Sequence, residues 1–327
     1  MTNLKSIKEL QNLIHYAINE IDFPAQPVEL YDPLAYILAL GGKHLRPALV
    51  LMAADMYHFD LVKVMPQAIG VELFHNFTLM HDDIMDQAPI RRGMKTVHEN
   101  WNINVGILSG DVLFVKAYQS IVKVDAHHLP KIIDLFNQTA IEVCEGQQYD
   151  MNFENQDHVL MSSYLKMIRF KTAVLLASSL KIGALVAGAS DDDQQSLYHF
   201  GIHIGIAFQL MDDILDVYGD QKDFGKQPAG DILCNKKTCL YVCAYEHANK
   251  QQQSVLDYYF AHQDFDRKEK VLEVMKVYDA IGVKELCVEM MSENHTLAIG
   301  YLNAVRLPKE RKSILFEFIE ILMLRKK

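Results

Sequence analysis

VELFHNFTLMHDDIMD, residues 71–86, is the stretch that decides the fold class of this chain. Its apolar residues recur with the 3.6-residue period of an α-helix, and it ends in three aspartates. A second stretch, FQLMDDILD at residues 208–216, repeats this pattern. The helical period runs through nearly the whole chain, and no alternating strand pattern interrupts it. The sequence therefore predicts an all-α protein with two acidic helix ends.

The chain shows few breaks between helices. No Ser/Pro-rich linker, low-complexity tract or internal repeat divides residues 1–327, so we predict a single domain that bundles roughly ten or more helices. The most apolar run, residues 173–189, is shorter than the ~20 residues of a membrane span and contains Lys181. We interpret this run as a buried helix and predict no transmembrane segment.

Local signals indicate where two long helices begin and pack. Pro66 is expected to be the first residue of the helix that carries the first acidic stretch. Ser190, followed by three aspartates, is expected to cap a second long helix. Gly201 and Gly205 lie four residues apart on that helix and predict the close approach of a neighbouring helix.

The composition excludes some classes of function. The chain carries 42 Asp and Glu against 32 Lys and Arg, for a formal net charge of −10. A surface this acidic does not attract nucleic acid. The five cysteines are odd in number and form no CxxC pair, which is typical of reduced thiols. Because the first residues also lack an apolar signal segment, we predict a cytoplasmic protein.

Each acidic stretch places two carboxylates on one face of a helix. Asp82 and Asp86 are four residues apart, as are Asp212 and Asp216, so each pair projects from the same side. Like charges at this spacing repel unless a divalent cation binds between them. Mg²⁺ prefers one or two carboxylates together with phosphate oxygens and water. One such pair is a weak signal, but two at the ends of apolar helices predict magnesium sites.

Basic residues accompany both acidic stretches. GGKHLRP (41–47) lies upstream of the first stretch and RRG (91–93) lies downstream of it, while Lys226 and the pair Lys236-Lys237 follow the second. Lysine binds phosphate as a point charge, and arginine binds it as a bidentate fork. The paired glycines also let backbone N–H groups approach an anion. Carboxylates, Mg²⁺ and cations together predict a diphosphate-binding site.

An ordered set of motifs resembles the trans-isoprenyl diphosphate synthase family, which includes farnesyl and geranylgeranyl diphosphate synthases. The resemblance extends from Gly41 to about Leu240. It rests on GGKHLRP (41–47), VELFHNFTLMHDDIMD (71–86), RRG (91–93), TVH (96–98), GD (110–111), EGQ (145–147), KT (171–172), FQLMDDILD (208–216), FGK (224–226) and GDILCNKKT (230–238). The family implies helices around a deep central cavity, with the two aspartate clusters facing each other at its mouth, and a homodimer.

The resemblance also implies a role for each motif residue. Three Mg²⁺ ions would bridge the diphosphate of an allylic substrate to the protein, two held by Asp82 and Asp86 and a third by Asp212 with Asp216 nearby. The Lys171 and Thr172 carbonyls and the Gln209 side chain would stabilise a carbocation. The remaining residues would bind the two diphosphates: Arg91, Lys171, Lys226 and Lys236 the allylic one, and Gly42, Lys43, Arg46, His75 and Arg92 isopentenyl diphosphate.

The reaction implied by the resemblance is a Mg²⁺-dependent condensation of an allylic diphosphate with isopentenyl diphosphate. It proceeds by ionisation, condensation and elimination to an all-trans prenyl diphosphate. Cations stabilise the leaving diphosphate more in the transition state than in the ground state, and the departing pyrophosphate takes the proton. Two alternatives stay open: a terpene cyclase, which needs no isopentenyl diphosphate, and a non-catalytic subunit of a heteromeric synthase.

Residues just before the first acidic stretch indicate the product length. Phe77 lies five residues before Asp82, Thr78 lies four before it, and no insertion interrupts residues 82–86. An aromatic residue followed by a small one resembles the geranylgeranyl-forming type. We therefore predict a product of about four isoprene units, with the three-unit farnesyl product as the alternative. The other interpretation of Phe77 is a core aromatic residue without influence on length.

Three positions depart from the family pattern. Asn235 stands where a glycine usually precedes the lysine pair, and Cys239 stands where leucine usually follows Thr238. These two differences leave it open whether the loop around the lysine pair adopts the conformation usual in the family. His44 lies between two of the proposed substrate ligands, and we expect it to be a tolerated surface variant.

Overall fold

Helices make up nearly all of the computed structural model, which describes residues 4–219, 229–261 and 266–323. This confirms the all-α prediction. The elements are α1 (Ile7–Asn19), α2 (Val28–Ala39), α3 (Leu45–Met56), α4 (Leu61–Met85), β1 (Ile90–Arg91), β2 (Met94–Lys95), α5 (Val97–Asn100), α6 (Ile103–Ile121), α7 (Leu129–Glu154), α8 (Met161–Ile168), the π-helical turn η1 (Arg169–Ala173), α9 (Val174–Val186), α10 (Asp191–Tyr218), α11 (Gly230–Leu233), α12 (Cys239–His247), α13 (Lys250–Ala261), α14 (Arg267–Ile281), α15 (Val283–Ala304) and α16 (Lys309–Met323).

The chain divides into two compact units. Unit 1 comprises Met1–Gln138, Ser178–Tyr198 and Val305–Leu315, and unit 2 comprises Thr139–Ala177, His199–Ala304 and Phe316–Lys327. Fully buried apolar side chains fill each unit, such as Leu49 and Phe74 in unit 1 and Leu210 and Leu240 in unit 2. The single domain over residues 1–327 stays a prediction.

Helix α4 begins one turn earlier than the sequence suggested. The Asp60 side chain accepts a hydrogen bond from the backbone N–H of Val62 at 3.0 Å and so caps the helix at Leu61. The expectation that Pro66 begins this helix is therefore wrong, because Pro66 lies inside it. The cap and the burial of Leu61 and Val64 stabilise the extra turn despite the N–H that proline lacks.

Helix α10 begins where the sequence predicts. The Ser190 hydroxyl accepts a hydrogen bond from the backbone N–H of Asp193 at 3.2 Å, which confirms Ser190 as the cap. Farther along, a Cβ atom added at Gly205 would lie 2.7 Å from the Cα of Ala173. A Cβ at Gly201 would likewise overlap the neighbouring backbone. The predicted close approach of a second helix is confirmed.

The apolar run at residues 173–189 contains the buried helix α9. In the described part of the chain, no helix is long and apolar enough to cross a membrane.

A short hairpin follows the first acidic stretch and was not predicted. Strands β1 and β2 pair antiparallel, with Ile90 opposite Lys95 and Arg91 opposite Met94. The turn between them has positive φ angles at Arg92 (53°) and Gly93 (78°), as the tight turns of hairpins require. Two-residue strands are too short to show alternation, so only the Arg-Gly pair could have indicated the turn. The hairpin fixes the two arginines beside the end of α4.

Candidate active site

In unit 1, the three aspartates of the first cluster, at the end of α4, differ in their exposure to solvent. Asp86 is exposed and Asp82 is partly exposed, whereas Asp83 is 3% exposed. The Arg91 guanidinium grips the Asp83 carboxylate: its Nε lies 2.8 Å from Oδ2, and its Nη2 lies 2.7 Å from Oδ1. The middle aspartate therefore anchors the hairpin to the helix. Asp82 and Asp86 are left at the surface.

The GGKHLRP loop meets the other arginine of the hairpin. A Cβ atom at Gly42 would lie 2.9 Å from Nη2 of Arg92, so only glycine lets the guanidinium lie against this backbone. The loop is also held from α1, because the Gln11 side-chain amide donates to the carbonyl of Lys43 at 2.5 Å. Lys43 and Arg92 are both exposed. The structure thus brings together the loop and the hairpin arginine that the sequence assigned to one substrate.

His75 completes this basic region from α4. Its Nε2 lies 3.1 Å from Nη1 of Arg46, and because a guanidinium can only donate, Nε2 is the acceptor. Burial, followed by the positive charges of Arg46, Arg92 and Arg91, holds the pKa of His75 well below its ordinary range. His75 is therefore neutral near pH 7, with its proton on Nδ1. Gly42, Arg46, His75 and Arg92 thus lie together in one basic region.

His44 is not a surface variant, and that expectation is wrong. Only 7% of its side chain is exposed, and its Nδ1 lies 2.9 Å from Oε1 of the buried Glu72. His44 also has a left-handed backbone, with φ of 44°. The hydrogen bond to α4 therefore fixes the bend in the loop that carries Lys43 and Arg46. The partner Glu72 lies 28 positions along the chain, and the sequence alone did not indicate this contact.

Phe77 is part of an aromatic cluster below the first aspartates. Its ring stacks on Phe114 of α6, with centroids 4.8 Å apart and an interplanar angle of 12°. The His81 ring meets it edge-on at 4.7 Å, and Phe74 lies 5.6 Å away. Thr78, by contrast, donates its hydroxyl to the carbonyl of His75 at 2.8 Å. Packing on three sides therefore fixes the Phe77 ring, which is 8% exposed.

In unit 2, Lys171 and Thr172 lie in the π-helical turn η1. Such turns interrupt the regular hydrogen bonding of an α-helix and occur often at functional sites. The Lys171 Nζ atom lies 2.6 Å from Oδ2 of Asp150 on α7. A Cβ atom at Gly146 of the same helix would overlap the backbone of Lys171, so the EGQ motif is needed for close packing. Sequence reasoning missed Asp150, which lies one turn after that motif.

The middle aspartate of the second cluster is also used inside the protein. Asp213 is 4% exposed and accepts hydrogen bonds from the Tyr164 hydroxyl, from Nε2 of Gln209 at 3.0 Å and from the backbone N–H of Cys239 at 2.9 Å. Burial raises the pKa of Asp213, while these three donors oppose the rise. Gln209 in turn accepts from the Thr172 hydroxyl at 3.2 Å. The departure at Cys239 leaves this network intact, because its backbone supplies the contact.

The outer aspartates of the second cluster are partly exposed. Asp216 accepts the backbone N–H of Asp231 at 2.9 Å, which ties α10 to the segment before the lysine pair. Lys236 lies in the described part of that segment, whereas Lys226 lies outside the described residues. A cavity of about 130 Å³ is lined by Asp150, Tyr164, Met167, Ile168, Lys171, Thr172, Gln209, Asp213, Asp231, Lys236, Lys237 and Thr238. Its lining includes two of the four residues predicted for the allylic diphosphate, Lys171 and Lys236, and the Thr172 and Gln209 predicted to stabilise the carbocation.

The carboxylates of the two aspartate clusters suit a Mg²⁺ ion that also takes ligands from outside the protein. Within residues 4–219, 229–261 and 266–323, no three His, Cys, Asp or Glu side chains converge closely enough to hold a metal ion. The outer aspartates are at least partly exposed, whereas the middle ones accept hydrogen bonds from groups within the protein. This donor set suits a cation that takes one or two carboxylates and completes its shell with phosphate oxygens and water.

Comparison with known proteins decides the family. The family model for polyprenyl synthetase matches residues 27–278. The chain belongs to the polyprenyl synthetase family. This polyprenyl synthetase is 42% identical over 252 residues to a geranylgeranyl diphosphate synthase of Methanosarcina mazei, a match that covers 76% of this chain and 78% of that protein. It is 37% identical over 254 residues to a geranylfarnesyl diphosphate synthase of Natronomonas pharaonis, covering 72% and 74%.

A solved structure supports the same conclusion. A geranylgeranyl pyrophosphate synthase crystal structure superposes with a TM-score of 0.93 at 40% identity, covering 99% of this chain and 100% of the other. The isoprenoid synthase fold predicted from the motifs is thus confirmed. The protein is a trans-prenyltransferase, which disfavours both the terpene cyclase and the non-catalytic subunit. Its family uses Mg²⁺ and joins allylic diphosphates to isopentenyl diphosphate.

Proposed function

We propose that this polyprenyl synthetase condenses an allylic prenyl diphosphate with isopentenyl diphosphate to form geranylgeranyl diphosphate. The observation that carries the product length is the stacked pair of Phe77 and Phe114. Phe77 precedes Asp82 by five residues, which is about 7.5 Å along a helix. A ring fixed by packing at that depth would stop a growing chain after about four isoprene units, and farnesyl diphosphate is the second candidate.

Isopentenyl diphosphate would bind to the basic region of unit 1. Lys43, Arg46 and Arg92 supply positive charge, and Gly42 lets Arg92 approach the loop backbone. The neutral His75 accepts a hydrogen bond from Arg46 and so orients the guanidinium. Each of the two arginines can make a bidentate contact to phosphate oxygens. Such charge-assisted hydrogen bonds are among the strongest that side chains make.

The allylic diphosphate would bind to Arg91, Lys171, Lys226 and Lys236. Asp82 and Asp86 would hold two Mg²⁺ ions and Asp212, with Asp216 nearby, a third. When bound, the ions neutralise charge that accumulates on the leaving diphosphate. Lys171 already carries Asp150 as a partner at 2.6 Å, so its ammonium is held in a defined position before substrate arrives. This pre-organisation supports a role in stabilising the leaving group.

The allylic carbocation would be stabilised by dipoles rather than by bases. Thr172 and Gln209 are connected to Asp213 through consecutive hydrogen bonds, which fix the orientation of the Gln209 amide. The wider turn of η1 supports exposure of the Lys171 and Thr172 carbonyls. The C3–C4 double bond of isopentenyl diphosphate attacks the cation, and pyrophosphate takes the proton. No protein side chain acts as a base.

A homodimer is the assembly we propose. Helix α6 exposes the apolar side chains Ile103 (54%), Ile107, Leu108 and Val115 (57%). At 100° per residue these four fall within about 140° of the helix circumference, which is a single face. A second copy of the chain would bury this face. Leu108→Glu combined with Val115→Glu is expected to yield a monomer in analytical ultracentrifugation.

We also propose that the protein works in the cytoplasm. All five cysteines are free thiols, which supports a reducing compartment. Cell fractionation with an antibody to the native protein tests the location.

One incubation tests the proposed function. The purified protein is supplied with Mg²⁺, isopentenyl diphosphate and dimethylallyl, geranyl or farnesyl diphosphate, and the products are identified by mass spectrometry. A four-unit prenyl diphosphate supports the proposal. A three- or five-unit product as the main species would overturn the length, and turnover without isopentenyl diphosphate would overturn the reaction.

A further inference from the structure

Lys270 is a buried lysine in unit 2, in the part of the chain that carries none of the family motifs. It lies on α14 and is only 4% exposed. Its Nζ donates a hydrogen bond to Oδ1 of Asn235 and lies 5.3 Å from the ring centroid of Phe260. Burial lowers the pKa of its amino group. Burying an ammonium group costs free energy unless well-placed partners compensate. The burial of Lys270 beside Asn235 therefore calls for an explanation.

Asn235 is the residue immediately before Lys236, in the turn between α11 and α12. Its backbone is left-handed, with φ of 56°, a conformation that asparagine tolerates better than most residues other than glycine. The backbone N–H of Lys236 donates to the carbonyl of Asp231 at 2.9 Å and closes the turn. A glycine here would keep the turn but offer no side chain. Asparagine adds an oxygen that Lys270 can hold.

The next residue, Lys237, is fixed by the same neighbours. Its Nζ lies 4.2 Å from the ring centroid of Tyr241 and 5.3 Å from that of Phe260. Phe260 is only 8% exposed and so belongs to the buried core. The turn is thus held by Lys270 before Lys236 and by the aromatic rings after it, while the Lys236 side chain is exposed beside the cavity.

We propose that Lys270 is a positioning residue: through Asn235 it holds the turn that directs Lys236 at the diphosphate of the allylic substrate. The proposal rests on the proposed function, in which Lys236 binds that diphosphate. Lys270 itself does not touch the substrate. A hydrophobic residue of similar size would keep the packing against Phe260 but would leave the Asn235 side-chain oxygen without this donor. The charge therefore serves the turn rather than the core.

The test compares Lys270→Met and Asn235→Gly with the wild type and with the double variant. We expect each single variant to raise KM for the allylic diphosphate by roughly fivefold to thirtyfold, less than the loss of a direct charge-assisted contact, because Lys236 is displaced but keeps its charge. KM for isopentenyl diphosphate should change by less than about twofold. The double variant should match the single ones, because both remove the same contact. Thermal unfolding should show that both single variants remain folded at the assay temperature.

Lys276→Met is the matched control on the same helix. Lys276 is exposed and pairs with Glu273 at 2.6 Å, so its loss should alter neither KM. Lys236→Ala separates the two levels of the proposal. If Lys236→Ala leaves KM for the allylic diphosphate unchanged, the assignment of Lys236 in the proposed function is wrong. If Lys236→Ala raises that KM but Asn235→Gly and Lys270→Met do not, or if their effects add, the positioning role is wrong. Asn235→Gly decides alone if Lys270→Met does not fold.

Discussion

Arg91 holds both carboxylate oxygens of Asp83, with Nε–Oδ2 and Nη2–Oδ1 distances of 2.8 and 2.7 Å. The second acidic cluster contains the same arrangement with other partners, because Asp213 accepts hydrogen bonds from Tyr164, Gln209 and the Cys239 backbone. In both clusters, the middle aspartate of the DDxxD pattern stabilises the protein. The outer aspartates, which are at least partly exposed, are the ones that we propose as magnesium ligands.

The first prediction separates these two roles. Asp82→Asn is expected to lower turnover by several orders of magnitude with little change in stability, because it removes a proposed magnesium ligand from a partly exposed site. Asp83→Asn removes the charge from a buried pair and should lower the free energy of unfolding by about 1–3 kcal/mol. Initial rates and denaturant unfolding of both variants check this. Equal losses of stability in the two would contradict the division of roles.

The second prediction concerns pH. In the unfolded chain, His75 titrates near its ordinary pKa of 6.5, whereas in the folded chain its pKa is well below that value. Below pH 6.5 the unfolded state therefore binds more protons than the folded state. As the pH is lowered through this range, His75 decreases the free energy of unfolding by up to about 1.4 kcal/mol per pH unit. Above pH 6.5 the contribution is constant. Urea unfolding of the wild type and His75→Gln between pH 5 and pH 8 checks it; parallel curves would show that His75 does not titrate as stated.

The third prediction separates the two diphosphates. Arg92→Ala should raise KM mainly for isopentenyl diphosphate, because Arg92 lies against Gly42 in the basic region of unit 1. Lys226→Ala should raise KM mainly for the allylic diphosphate. Loss of a charge-assisted phosphate contact corresponds to about tenfold to a hundredfold in affinity. Steady-state kinetics with each substrate varied in turn provide the measurement. If both variants raised KM for the same substrate alone, the assignment of these residues to two separate diphosphate sites would be wrong.

The fourth prediction concerns product length. Phe77→Ala should shift products toward longer prenyl diphosphates, since a growing tail would fill the volume that the ring leaves and offset the cavity. Thr78→Phe should shorten them. Phe136→Leu is a control, because Phe136 is fully buried and contacts Phe74 rather than Phe77. Product chain lengths are read by mass spectrometry. Unchanged lengths in both Phe77→Ala and Thr78→Phe would mean that another residue limits the chain.

Local patterns in the sequence were sufficient for the all-α class and for three of the helices. The start of α10 at Ser190 could be predicted because a cap depends on neighbouring residues alone. Pro66 misled for the same reason: its usual position in helices is a local statistic, and burial of the preceding turn overrode it. The motifs also placed Gly42, Arg46 and Arg92 in one region, as the structure shows.

Contacts between distant residues could not be predicted in the same way. His44 and Glu72 are 28 positions apart, and Lys270 and Asn235 are 35 apart. Nothing in the periodicity of either segment indicates such a pair, because each joins a loop residue to a distant helix and depends on tertiary packing. The π-helical turn at Lys171 was missed too, since it adds one residue to a turn without changing which residue types are apolar.

The Arg91 fork has a thermodynamic consequence. It engages the carboxylate of Asp83, so a Mg²⁺ ion at Asp82 and Asp86 would take the rest of its octahedral shell from water and from phosphate oxygens. A diphosphate that supplied some of these oxygens would make the ion and the substrate coupled ligands. Linkage makes this coupling reciprocal: the factor by which diphosphate raises the affinity for Mg²⁺ equals the factor by which Mg²⁺ raises the affinity for diphosphate. The free magnesium concentration would therefore set the apparent substrate affinity of this protein.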